Sequence, residues 1–144
     1  GGELETIYNN LNDQYAASTE AKELVSKRID NVESVAQALF SEWEDEINQY
    51  SNATFKRNSS KQLNDTKRLY ARMLRSMHQS EKKMDPVLAA LNDNVLYLKH
   101  NLNANAVNAI EVEFKQLKQE IAVLIKEVNQ SIAESNKFIE TLSK

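Results

Sequence analysis

The chain has 144 residues, a net charge of −3 at pH 7, no Cys, two Gly and one Pro. Average usage gives about ten Gly and seven Pro in this length. Because phosphate-binding loops and tight β-hairpins depend on Gly, the composition excludes P-loop and dinucleotide-binding sites and disfavours strand-rich folds. The lack of Cys excludes a thiolate nucleophile and a Cys-based zinc site, and the negative charge does not favour nucleic acid.

Residues 3–50 contain two interleaved heptad series of mostly apolar residues, which predict one helix of about 70 Å. Ser18 and Lys22 are the polar positions in this seam, and we expect them to leave room for another helix. The first series is Leu4, Leu11, Ser18, Val25, Val32 and Leu39, and the second is Tyr8, Tyr15, Lys22, Ile29, Ala36, Trp43 and Tyr50.

A second helix is predicted over residues 54–100, with Asn52 or Thr54 as its N-cap. A capping-box pattern at residues 59–62 allows a start one or two turns later. One heptad series runs through this segment, while a companion series slips by one residue beside Pro86. We expect a continuous helix kinked near Pro86; the alternative is a new helix capped by Asp85. The uninterrupted series is Leu63, Tyr70, Met77, Met84, Leu91 and Leu98.

An Asn-rich turn at residues 101–105 precedes a third predicted helix over residues 104–143. Its main series is Val107, Phe114, Ile121, Val128, Ser135 and Leu142. Three helices with short connections run up, down and up. The sequence therefore predicts an all-α fold, an elongated antiparallel three-helix bundle or coiled coil, with residues 1–144 forming a single helical domain.

Charge is divided unevenly along the chain. Residues 1–50 carry eleven acidic and three basic side chains, net −8, whereas residues 51–84 carry two acidic and nine basic side chains, net +7. Across an antiparallel hairpin, we expect the acidic side chains near the end of the first helix to face the basic ones that follow the turn. The acidic group is Glu42, Glu44, Asp45 and Glu46, and the basic group is Lys56, Arg57 and Lys61.

The basic stretch over residues 56–83 is the main candidate binding surface. One interpretation is a strip that docks on anionic lipid or on nucleic acid. The interpretation that we favour at this stage is neutralisation by the acidic first helix. No aromatic platform for nucleic acid accompanies the strip, because Tyr70 lies on the core series. The candidate residues are Lys56, Arg57, Lys61, Lys67, Arg68, Arg72 and Arg75, followed by Lys82 and Lys83.

No catalytic, cofactor-binding or metal-binding residue is predicted. His78 and His100 are the only His residues, and one His-x-x-Glu pair, His78 with Glu81, falls short of a di-iron helix motif. We therefore expect a protein that is not an enzyme and that holds no cofactor. The aromatic residues on the heptad positions, including Trp43 and Tyr50, are predicted to pack in the core with their polar atoms at its edge.

Several segments resemble the DUF2959 family of uncharacterised proteobacterial proteins. The most specific is the run DPVLAALNDNVLYLKHNLNA at residues 85–104, and the similarity extends to residues 1–4, 38–44 and 50–53. The resemblance covers essentially the whole chain. It implies the C-terminal part of an exported, lipoprotein-type protein that faces the periplasm, with a missing N-terminal anchor at the membrane. It carries over no binding residues.

Together these observations predict a non-enzymatic structural or protein-interaction module of the cell envelope. Its partner would be another protein or a second copy of the chain in a homodimer. The alternative is a helical bundle that binds a membrane surface through residues 56–83.

Overall fold

The computed structural model describes residues 2–142, which form three helices joined by two short turns. Helix α1 spans Gly2–Ile47, α2 spans Ala53–His100 and α3 spans Ala104–Leu142. The described residues contain no β-strand. The prediction of an antiparallel three-helix bundle is therefore confirmed, while the predicted last helical residue, 143, lies outside the described residues.

The first turn begins earlier than predicted. Helix α1 ends at Ile47, and the N–H groups of Gln49 and Tyr50 donate to carbonyls three residues back, at 3.0 and 3.2 Å, which tightens the last turn. The heptad pattern continues to Tyr50, but the backbone has already left the helix there. Tyr50 is 45% exposed, so its predicted place in the core is wrong.

Asparagine side chains cap the two helices that follow the turns. Asn52 Oδ1 accepts hydrogen bonds from the N–H groups of Thr54 (2.9 Å) and Phe55 (3.1 Å), and Asn103 Oδ1 accepts one from Ala106 (2.9 Å). The later start at the capping-box pattern is wrong, because α2 already includes residues 59–62. None of the described residues has a positive φ, so these turns need no Gly.

Helix α2 runs through Pro86 without interruption. The continuity of the helix is therefore confirmed, its kink near Pro86 stays a prediction, and the alternative of a new helix capped by Asp85 is wrong. Asp85 instead lies 3.7 Å from the Nζ atom of Lys22 on α1. Lys22 thus ends in an ion pair, and Ser18 is buried, so these two polar seam positions do not hold open space for another helix.

The described chain divides into two compact units, and all three helices contribute to both. Unit 1 joins the beginning of α1, up to Ser26, to the segment Ser80–Val128. Its centre is a cluster of buried apolar side chains from all three helices: Leu11, Leu91, Val95, Leu98, Val107 and Phe114. Asn94 is also buried in this unit, and its Nδ2 has no hydrogen-bond partner among the described residues.

Unit 2 joins Lys27–Gln79 to the end of α3, from Asn129 onward. The rings of Phe40 and Tyr70 pack edge to face, with centroids 5.6 Å apart. The hydroxyl of Ser135 lies 3.7 Å from the sulfur of Met77. Burial, together with the negative charge of Glu33, raises the pKa of Tyr70 to about 12.

The α1 side of the seam in unit 2 also differs from the prediction at Leu39 and at its end, where Ile47 is buried instead of Tyr50. Phe40 is buried, whereas Leu39, the predicted heptad residue, is half-buried. Trp43 is half-buried as well, and its indole N–H donates to Ser59 Oγ at 2.9 Å. The expectation that aromatic polar atoms lie at the edge of the core holds for Trp43.

Candidate anion-binding surface

The basic side chains at the beginning of α2 project from different sides of the helix, because successive residues are rotated about its axis. With 3.6 residues per turn, five of them fall within an arc of about 60°, roughly opposite the buried side chains of Leu63, Tyr70 and Met77. We call these five residues the basic face. They are Arg57, Lys61, Arg68, Arg72 and Arg75.

The basic face is the outermost surface of α2 within unit 2. All five of its residues are exposed. A side chain that points directly away from the core cannot reach α1 or α3. Arg57 and Arg75 are eighteen positions apart, so the face extends for about 27 Å along the helix. Between residues 51 and 79, Asp65 is the only acidic residue in the sequence.

One basic residue does meet the acidic first helix. Lys67 projects from the flank of α2, and its Nζ lies 2.5 Å from Glu44 Oε1. The predicted partners of the acidic group were Lys56, Arg57 and Lys61, so this part of the prediction is wrong. The helical repeat explains the difference, because Lys67 lies near the α1 side of α2 whereas Arg57 and Lys61 lie on its outer surface.

The remaining contacts of the basic side chains are local. Arg68 pairs with Asp65 three residues earlier on the same helix, and the Arg68 side chain stays 73% exposed. An Nη atom of Arg57 lies 3.4 Å from the Thr54 hydroxyl. Within residues 2–142, no ion pair under 4 Å connects the basic face to α1 or α3. Its positive charge is therefore available to an external anion.

Three candidate residues lie apart from the basic face. Lys56 is exposed and lies on the same side of α2 as Lys67. Lys82 and Lys83 are exposed but belong to unit 1, where Lys83 borders a shallow groove that also contains Pro86. The structure thus narrows the predicted 56–83 stretch to five residues on one side of α2.

The residues that border the basic face are mostly small or uncharged. Ser60, Asn64 and Ala71 lie along one edge of it. Asp65, which pairs with Arg68, and Leu69, which is 42% exposed, lie along the other edge. A shallow depression follows the first turns of this surface, and its lining consists of Ala53, Lys56, Arg57, Ser60, Lys61, Asn64 and Arg68. A helical wheel drawn from the sequence would have placed the basic face and Lys67 on different sides of α2. Counting the charges of the whole segment did not make this distinction.

An aromatic pair at the α1–α2 turn was not predicted as a surface feature. The rings of Tyr50 and Phe55 pack edge to face with centroids 6.3 Å apart, and Phe55 is 58% exposed. Phe55 lies eight positions, or just over two turns, before Leu63, the first buried residue of α2, and it projects from a side of the helix closer to the core than to the basic face. It is therefore near the basic face in sequence but projects in a different direction.

Residues 2–142 contain neither a metal-binding cluster nor a membrane-spanning segment. No group of three or more His, Asp or Glu side chains in this range is arranged to hold a metal ion. None of the three helices has a segment apolar enough to cross a bilayer within the same range.

The three-helix fold and the basic face define an all-α protein with one strongly charged helix surface. The family model of a protein of unknown function, DUF2959, matches residues 1–142, so the chain belongs to that family. No curated protein and no solved structure shows significant similarity to the chain.

Proposed function

We propose that this chain is a non-enzymatic structural and interaction module of the bacterial cell envelope, which binds an anionic partner through the basic face of α2. The observation that carries this proposal is the position of the five cations. They lie opposite the core and form no ion pair with the acidic first helix; of the five, only Arg68 is paired, with Asp65 on the same helix.

Electrostatics supports binding despite the overall negative charge. The Debye length is about 8 Å at physiological ionic strength, so a partner at the basic face responds mainly to the charges of that surface. Arginine predominates there, and its planar guanidinium group donates paired hydrogen bonds to phosphate and carboxylate groups. The partner is therefore expected to carry one of these groups.

The envelope location rests on the family resemblance and on the expectation that members are exported. The bundle supports a structural role because its apolar residues are used in a narrow core while long, polar helix surfaces remain for contact. A protein partner or a second copy of the chain is compatible with this role, provided that it presents negative charge to α2.

Chromatography on a sulfonate cation exchanger at pH 7 and low salt tests the binding surface. We expect the wild-type chain to be retained despite its net charge of −3. The double variant Arg72→Glu/Arg75→Glu should elute at clearly lower salt. The control Lys126→Glu/Lys137→Glu, which changes two exposed α3 residues and the net charge equally, should elute close to the wild type.

Two results would contradict the proposal. One is a wild-type chain that passes through the exchanger at the lowest salt used. The other is an equal shift in the two double variants, because retention would then depend on net charge alone. Circular dichroism of each variant establishes that the helices are intact.

A further inference from the structure

We infer that the anionic partner is the headgroup layer of a phospholipid bilayer, on which α2 lies flat with its basic face toward the lipid. This inference rests on the proposed function and names its partner. It follows from three properties of the basic face: its alignment along one side of a continuous helix, its lack of an aromatic or clustered apolar anchor, and the ion pairs that already engage the nearest acidic groups.

The first property is geometric. The five cations lie within one narrow arc of a continuous helix and extend for about 27 Å. They therefore reach a plane at the same time when the helix axis is parallel to that plane. A bilayer presents phosphate groups over a surface of this kind, and each Lys or Arg side chain that comes near it adds to the attraction.

The second property favours lipid over a stable protein interface and over single-stranded nucleic acid. Stable protein interfaces contain buried aromatic or aliphatic anchors, and single-stranded nucleic acid binds aromatic stacking platforms. The positions that border the cations include Ser60, Asn64 and Ala71, which provide neither, and one exposed aliphatic side chain, Leu69, which has no apolar neighbour among them. Attraction to lipid headgroups requires no such anchor, because it acts between charges at the surface.

The third property concerns the groups that would approach the bilayer together with the cations. Asp65 is the nearest acidic residue on α2, and it is already paired with Arg68. Glu44 is held by Lys67 on the flank that faces α1. A flat orientation thus brings the basic face to the lipid while the unpaired acidic side chains at the end of α1 remain on the other side of α2.

Vesicle co-sedimentation at low salt tests the inference with the full 144-residue chain. We expect binding to vesicles of equal amounts of phosphatidylglycerol and phosphatidylcholine, and none to phosphatidylcholine alone. Removing two cations from the surface lowers affinity by roughly 30-fold, so Arg72→Glu/Arg75→Glu should lose at least that much. The control Lys126→Glu/Lys137→Glu should bind within about threefold of the wild type.

A second measurement tests the flat orientation. The chain contains no Cys, so an environment-sensitive dye can be attached at a single introduced Cys. Asn64→Cys places the dye on the basic face, and Gln130→Cys places it at an exposed position of α3 in the same unit. Addition of anionic vesicles should shift the emission of the first dye and leave the second unchanged.

Phe55→Ser distinguishes the flat orientation from insertion of the turn. Because Phe55 projects away from the basic face, the variant should bind anionic vesicles as the wild type does. A loss of binding comparable to that of the Arg72→Glu/Arg75→Glu variant would overturn the flat orientation in favour of an inserted aromatic pair.

The cation exchanger separates failure of this inference from failure of the proposed function. Retention that depends on Arg72 and Arg75, combined with no binding to anionic vesicles, overturns the lipid assignment and leaves an acidic protein or a duplex nucleic acid as the partner. Loss of both retention and vesicle binding overturns the two proposals together. Binding of a DNA duplex more tightly than anionic vesicles at equal salt also overturns the lipid assignment.

Discussion

Replacement of Leu91 by Ala should destabilise unit 1 strongly. Leu91 has no exposed surface and packs in the cluster that contains Leu11 and Phe114 from the two other helices. Removing a fully buried Leu side chain costs about 3 kcal/mol, which combines lost burial with the cavity left behind. In a chain of this size, that loss lowers the midpoint of thermal unfolding by roughly 10 °C.

The same helix supplies a matched control. Leu96 lies five positions after Leu91 and is 48% exposed, so Leu96→Ala should change stability by no more than about 0.5 kcal/mol. Both variants have the same composition and nearly the same helix propensity. Circular dichroism followed during urea and thermal denaturation measures the difference between them.

A more severe change at the same position tests whether Leu91 is buried, independently of how well the site is packed. Leu91→Asp places a carboxylate without a partner in the apolar cluster and should cost several kcal/mol more than Leu91→Ala. Equal unfolding midpoints for the wild type and Leu91→Asp would refute the assignment of Leu91 to the core and the heptad register of α2 that places it there.

Three further predictions concern a cap, an ion pair and a buried hydroxyl. Asn52→Ala should cost about 1 kcal/mol of unfolding free energy in urea denaturation, and Asn52→Asp should restore most of it; equal stability of all three would show that the cap is not used. A double-mutant cycle with Lys67→Ala and Glu44→Ala should give a coupling energy of about 0.2–1 kcal/mol that decreases at high salt, and zero coupling at low salt would contradict the pair. The pKa of Tyr70 is raised to about 12, so its proton is retained by the folded chain and lost by the unfolded chain between pH 10 and 12. Stability should therefore fall across that window more steeply in the wild type than in Tyr70→Phe, as measured by urea denaturation, whereas parallel pH profiles would refute the shift.

The core of α2 and α3 was predictable because it depends on one regular property, the recurrence of apolar residues every seven positions. Leu63, Met77 and Leu98 on α2, and Val107 and Phe114 on α3, are all buried as that pattern requires. Where Gly and Pro are scarce, few local signals compete with the heptad pattern, so the number and type of the helices follow from it.

The helix ends and the polar core residues were less predictable. Tyr50 continues the heptad series of α1, and only the hydrogen bonds of the turn show that the helix has ended before it. Asn94 lies between two buried apolar positions of α2, and its burial depends on how closely α1 and α3 approach it. Such distances are set by packing among three helices and leave no mark in the local sequence.

The candidate surface was predicted in composition but not in orientation. The stretch with net charge +7 was evident from counting, and the segment average favoured neutralisation by α1. Neutralisation depends on which side of α2 each cation occupies. Lys67 projects toward Glu44, whereas the basic face projects away from α1. The net charge of the whole segment therefore did not distinguish these two environments.

The ion pair between Lys22 and Asp85 has a consequence for how the chain selects one alignment during folding. A heptad repeat allows two helices to slide past each other by seven residues and still bury apolar side chains. Such a displacement of α1 along α2 would bring Lys22 opposite residue 78 or residue 92, and Asp85 opposite Tyr15 or Ile29. The side chain of Lys22 is only 27% exposed, so in these misaligned states its partly desolvated charge would lose Asp85 as counterion. A single lysine in an apolar seam thereby penalises the nearest wrong alignments and helps the chain to reach one structure.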